Sequence, residues 1–264
     1  STTKQLVGDF ILSEALRLKQ TGDLETAAAL FESLGDHPDA KENYDATRYE
    51  IAQQQMTLGE YQQAAVVFET LADYEDSEAL LAQCLYEAYG RTYDEVQAAY
   101  DAENWTGIVQ MLDGFDFSSL PEAYQAMPAW YEDACYYAGE ALYTQGKPFE
   151  ALPYFQRIAA IPDIAQDVLM RPVYLLLGTW EGDAASAVFT GDGTYTLADI
   201  TGYFTVEDQA LLTGEAPDTL TPAYTLTVLT DTELTLTSVD DSAITYTFTR
   251  AQADGGLDDT GSAQ

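Results

Sequence analysis

The sequence predicts an α+β protein in two domains. An α-helical hairpin solenoid occupies residues 1–170, a small antiparallel meander β-barrel or sheet occupies 171–252, and a disordered tail follows at 253–264. Three observations lead there. A block of residues recurs in the first part with apolar positions on one helix face. After Met170 the hydrophobic period changes from 3.6 to 2. The last residues are rich in Gly and Asp and poor in apolar side chains.

The recurring block starts at Gly22 and again at Gly59, a step of 37 residues that aligns without gaps through Leu34 and Leu71. A further copy starts at Gly146, and a degenerate one at Glu103. Five residues on stand Ala27, Ala64, Ile108 and Ala151, and nine on stand Phe31, Phe68, Leu112 and Phe155. These are neighbours on one face of a helix. Seven residues before the start stand Ala15, Ala52, Val96 and Gly139, and ten before stand Leu12, Tyr49, Tyr93 and Tyr136, on a preceding helix that ends at the Gly. Gly accepts the left-handed conformation there without penalty. Each copy therefore reads as helix, tight turn, helix, with small residues that let the two helices approach. Asp39 and Asp76–Ser77 are placed to cap the helices that follow them. Gly114, Pro121 and Pro128 break the period and mark a longer connection with a short helix.

From Gly178 on, apolar residues alternate with Thr, most clearly over 224–229, 233–237 and 244–249. Thr on a wet face and Leu, Val, Ile or aromatics on a dry one describe half-buried antiparallel strands. Turn chemistry at Gly191-Asp192-Gly193, Glu207-Asp208, Thr230-Asp231 and Asp240-Asp241 separates about eight of them.

The repeat resembles the tetratricopeptide repeat: Gly22, Ala27 and Phe31, then Gly59, Tyr61, Ala64 and Phe68, then Gly146, Ala151 and Phe155 match it. The period departs from the usual 34, and Leu34, Leu71 or Ile158 fills the family's terminal Ala position. Gly178-Thr179-Trp180 with the late Arg250 resembles the lipocalin-like, or calycin, barrels, in which a late Arg lies over the ring of a first-strand Trp. That resemblance implies that Trp180 and Arg250 touch where the barrel closes. The combination also resembles anchored envelope proteins of Gram-positive bacteria, which implies an extracytoplasmic location. An anchor would then lie outside the sequence considered.

Charge excludes several function classes. The chain carries 45 acidic and 10 basic residues, a formal −35. Nucleic acid and anionic membrane surfaces, which need clustered Lys and Arg, are excluded as partners. No window is apolar enough to span a bilayer. His37, the only histidine, falls in an acidic turn and reads as an exposed loop residue. Cys84 and Cys135 read as buried free thiols or a single disulfide. No motif for a catalytic nucleophile, metal site or phosphate loop is present, so no cofactor and no metal are expected. Trp130, Tyr131, Tyr136 and Tyr137 beside Glu132 and Asp133 could line a sugar site but fit a hairpin interior better.

These residues point to a non-catalytic protein- or peptide-binding scaffold of the bacterial envelope, holding a cationic partner through the helical domain. The candidate contact residues are Tyr44, Arg48, Tyr49, Tyr89 and Tyr93, beside acidic Glu14, Glu42, Asp45, Glu50, Glu87 and Glu140. The competing readings are a carbohydrate-active enzyme with a carboxylate pair, or a stalk that presents the β domain.

Overall fold

A computed structural model describes residues 2–251, so the expected tail lies outside the described residues. By contact the chain divides into two compact units, Ser1–Glu103 with Met111–Trp130, and Asn104–Gln110 with Tyr131–Gln264.

The first unit opens with two helical hairpins, α1 (Thr2–Thr21) with α2 (Leu24–Ser33) and α3 (Ala40–Leu58) with α4 (Tyr61–Leu71). A long helix follows, made of α5 (Ser77–Leu85), a π-helical turn at Tyr86–Gly90 and α6 (Arg91–Asp101). From α1 to α5 each helix packs on the next in the chain. The recurring residues explain this. Ala15, Ala27 and Phe31 form one buried cluster and Ala52, Ala64 and Phe68 another. Ala leaves room for the ring to enter between helices, and each buried Phe contributes about 2–3 kcal/mol. The turns hold φ 86° at Gly22, 79° at Gly59 and 76° at Gly146, and the degenerate copy keeps the same backbone at Glu103 with φ 53°. A glutamate there bears strain that the glycines avoid.

Three local expectations are corrected. Asp39 precedes α3 but makes no side-chain cap. Asp76 leaves the start of α5 uncapped because its carboxylate accepts the Tyr49 hydroxyl instead. Helix caps form instead at Asp23, whose carboxylate accepts the Thr26 N–H at 3.4 Å, and at Asn104, whose Oδ1 accepts the Gly107 N–H at 3.2 Å. His37 is not an open loop residue: its side chain is 16% exposed and its Nε2 lies 3.3 Å from Asp9 on α1.

α7 (Trp105–Leu112) crosses from one unit to the other, and a 3₁₀ turn at Glu122–Tyr124 occupies the connection where the sequence placed a short helix. α8 (Met127–Thr144) and α9 (Pro148–Arg157) form the last hairpin, followed by a second π-helical turn at Ile164–Val168 and a single turn, α10 (Pro172–Leu175). In this hairpin Gly139 is required for space, since a Cβ would stand 2.5 Å from the Phe155 ring.

Eight strands then close into an antiparallel barrel in chain order, β1 (Gly178–Glu181), β2 (Ser186–Phe189), β3 (Thr194–Leu197), β4 (Ile200–Glu207), β5 (Ala210–Gly214), β6 (Thr221–Leu229), β7 (Glu233–Ser238) and β8 (Thr245–Arg250). Closure removes the free sheet edges. Trp180, Phe189, Phe204, Leu211, Leu234, Leu236 and Phe248 are buried. Eight short strands enclose no more than such side chains fill. Thr faces outward, and Thr227 and Thr237 hydroxyls meet across strands at 3.0 Å.

Candidate functional site

The structure brings Trp180 and Arg250 together at the barrel seam. β1 and β8 pair through only two residue pairs, Trp180 with Arg250 and Glu181 with Thr249. The guanidinium lies 4.1 Å from the centre of the Trp180 ring. Its Nη2 donates to the Leu175 carbonyl at 2.5 Å, its Nη1 to Leu177 at 2.6 Å, and its Nε to Asp231 at 2.5 Å. The Trp180 indole donates to the Leu176 carbonyl at 2.8 Å. Three successive carbonyls at the end of α10, which the helix itself leaves without donors, are thus taken up by barrel side chains. Gly178 has φ 119°, and a Cβ on it would meet Nη1 of Arg250 at 2.8 Å. That contact is the physical reason a glycine stands two residues before this tryptophan. The cluster is structural, and burial lowers the Arg250 pKa from its ordinary value.

The five residues read as a peptide-contact set do not form one open surface. Tyr89 is 5% exposed, 6.0 Å from the Tyr124 ring. Tyr93 packs between Tyr124 at 5.4 Å and Trp130 at 5.0 Å. Tyr49 packs on Phe68 and Tyr74 and donates to Asp76. Tyr44 lies against the buried clusters of the first two hairpins. Arg48 faces Glu25 at 3.9 Å. The acidic residues named with them are mostly engaged as well: Glu14 with Arg17, Asp45 with Lys41, Glu50 with Lys19, Glu87 with Arg91 and Glu140 with Arg171. Of the possible sugar-site aromatics, Trp130 joins Tyr93 and Tyr100, and Tyr137 joins Trp105 and Tyr136. Cys84 and Cys135 are both buried and are not joined in a disulfide, and burial pushes the Cys84 thiol pKa up.

A site that the sequence did not suggest lies within the second unit. A cleft of about 630 Å³ opens between the α8–α9 turn and the barrel wall. Its position follows from how the last hairpin docks. Phe149 of α9 packs on Phe204 of β4 with ring centres 5.1 Å apart. It also fills the space beside Gly193, where a Cβ would be 2.7 Å from the ring. Tyr174 of α10 donates to the Pro148 carbonyl at 2.8 Å, and its pKa is raised, chiefly by burial. Arg171 lies 4.2 Å from the Tyr143 ring centre and donates to Glu140, which fixes α8 beside α10. Phe149, Phe204, Val173 and Leu212 give the cleft an apolar floor, and Tyr143 and Tyr203 flank it. Glu150, Asp192, Glu207 and Asp218 set carboxylates around it, and its single cation, Lys147, lies 3.3 Å from Glu150. Asp192 accepts from Thr190 and Thr194, which holds its carboxyl below the usual carboxylate range.

Among the described residues, no group of three or more His, Cys, Asp or Glu side chains is placed to hold a metal ion. No described helix is long and apolar enough to cross a membrane. No family model, no curated protein and no solved structure matches the chain.

Proposed function

We propose that the chain is a non-catalytic protein- or peptide-binding scaffold of the bacterial cell envelope, with tetratricopeptide-like hairpins, a lipocalin-like barrel and a cationic protein segment as partner. The observation that carries this is how the charge is arranged. Arg17, Lys19, Lys41, Arg48, Arg91, Lys147 and Arg171 each face a carboxylate of the chain itself, and Arg250 is spent on backbone carbonyls. A formal −35 remains over the chain. Such a surface draws a basic partner in and speeds its encounter. Stacked helical hairpins are a fold suited to holding extended protein segments. The envelope location rests on the resemblance of the hairpin–barrel pairing alone.

The test is a titration of the whole chain with matched Lys/Arg-bearing and Asp/Glu-bearing peptide libraries at low and high salt. Cationic peptides should bind at low salt and weaken as salt rises, because exposed charges are screened beyond roughly 8–10 Å at physiological ionic strength. Equal binding of both libraries, or none by either, rejects the reading.

A further inference from the structure

We infer that the cleft between the α8–α9 turn and β4 is the seat of a cationic protein segment, taking Lys or Arg side chains between Tyr143, Tyr203 and the carboxylates of Glu207 and Asp218. The inference rests on the functional reading above and names the place on the chain where it acts.

Three features lead to it. The first is volume: about 630 Å³ falls in the range of roughly 300–1,000 Å³ typical of ligand clefts, and it exceeds what one side chain fills. The second is chemistry. The floor of Phe149, Phe204 and Leu212 suits the aliphatic stem of a Lys or Arg, while flanking tyrosine faces attract its charged head. Glu207 and Asp218 are exposed, and no ion pair among the described residues takes in either. The third is contrast with the first unit. There the tyrosines are packed between helices, and most of the first-helix carboxylates already hold a cation of this chain. In this cleft the Tyr203 ring, and the Tyr143 ring beside Arg171, share an open concave surface with the unpaired carboxylates of Glu207 and Asp218.

The distribution of the acids identifies the occupant as a segment. Asp192 precedes β3, Glu207 ends β4, Asp218 lies in the β5–β6 loop and Glu150 is on α9. Carboxylates spaced around an opening match several cationic side chains on one extended chain. A single small cation would be met by carboxylates that converge.

The experiment uses the whole chain and the acetylated, amidated peptide Lys-Leu-Lys-Leu-Lys, followed by calorimetry and by the ring resonances of Tyr143 and Tyr203. The same peptide with Glu in place of Lys, and spermidine, are the comparison ligands. The double variant Glu207→Gln, Asp218→Asn should raise the Kd of the Lys peptide about tenfold or more, and Glu42→Gln, Asp73→Asn, which removes the same charge from the first unit, less than about twofold. All four positions are exposed, so the fold should survive, as far-UV circular dichroism will show. Both tyrosine resonances should move with the Lys peptide and stay still with the Glu peptide. Equal losses in the two variants, or unmoved tyrosines with binding intact, overturn the cleft as the site and leave the functional reading standing. Spermidine binding as tightly as the peptide overturns the segment as occupant. No binding of the Lys peptide to the native chain overturns both the cleft and the charge argument behind the function.

Discussion

Replacing Arg250 with methionine should cost the second unit about 3 kcal/mol. Arg250 donates to the Leu175, Leu177 and Asp231 carbonyls and lies 4.1 Å over the Trp180 ring. The first two bonds are part-buried, and losing them leaves carbonyls at the end of α10 without their donors. A bond from a charged donor contributes about 1.5–3 kcal/mol when well shielded, and partial exposure here brings each nearer ~1 kcal/mol. The stacked guanidinium adds about 0.5–2 kcal/mol. Methionine keeps the apolar stem over the indole, so the loss isolates the polar head. Urea unfolding followed by near-ultraviolet circular dichroism measures it. Trp180→Phe, alone and combined with Arg250→Met, then gives the coupling between the two side chains, expected at about 0.5–2 kcal/mol. A loss below about 1 kcal/mol for Arg250→Met, or additive single losses, would refute the view that this pair ties the end of α10 to the barrel seam.

Glu103→Gly should stabilise the protein by about 0.5–1 kcal/mol, because relief of the left-handed backbone at φ 53° outweighs the added freedom of the unfolded chain; a lowered thermal midpoint would show that the glutamate side chain holds the turn. The Tyr49 hydroxyl is held up to about 12, first by its bond to Asp76 and then by burial. An unfolded tyrosine ionises near pH ~10, so between there and the folded value the unfolded chain sheds a proton that the folded one keeps, and stability falls as pH rises. Urea midpoints at high pH should therefore decline less steeply in Tyr49→Phe than in the native chain, and parallel declines would argue against the Asp76 bond.

The hairpins were legible because their logic is local and repeated. Ala15 and Phe31, Ala52 and Phe68, and Gly139 and Phe155 stand at one spacing, and that spacing reports which residues meet. The strands were legible because Thr alternates with apolar residues at period 2. The cleft was not, because its walls come from residues 146–150, β4 and the β5–β6 loop, which no sequence period connects. Tyr49 and Tyr93 carried a binding signal only as residue types. Whether a half-buried tyrosine faces solvent or a neighbouring ring depends on Tyr74, Tyr124 and Trp130, and the last two arrive through an irregular connection. The long helix of α5 and α6 was hidden by its π-helical turn, which interrupts the 3.6-residue spacing.

The seam also sets a timetable for biosynthesis. Leu175 opens the barrel region, yet the guanidinium that takes up its carbonyl belongs to a residue made 75 positions later. The first hairpins depend on partners within a few dozen residues and can pack while the ribosome is still at work. The barrel cannot shut until Arg250 has left the exit tunnel, and until then β1 has no eighth strand beside it. Over that interval the nascent chain carries a finished helical region followed by an open sheet edge. The shortness of β1, four residues, and the strong negative charge of the chain help keep such an edge from pairing with a neighbouring nascent chain.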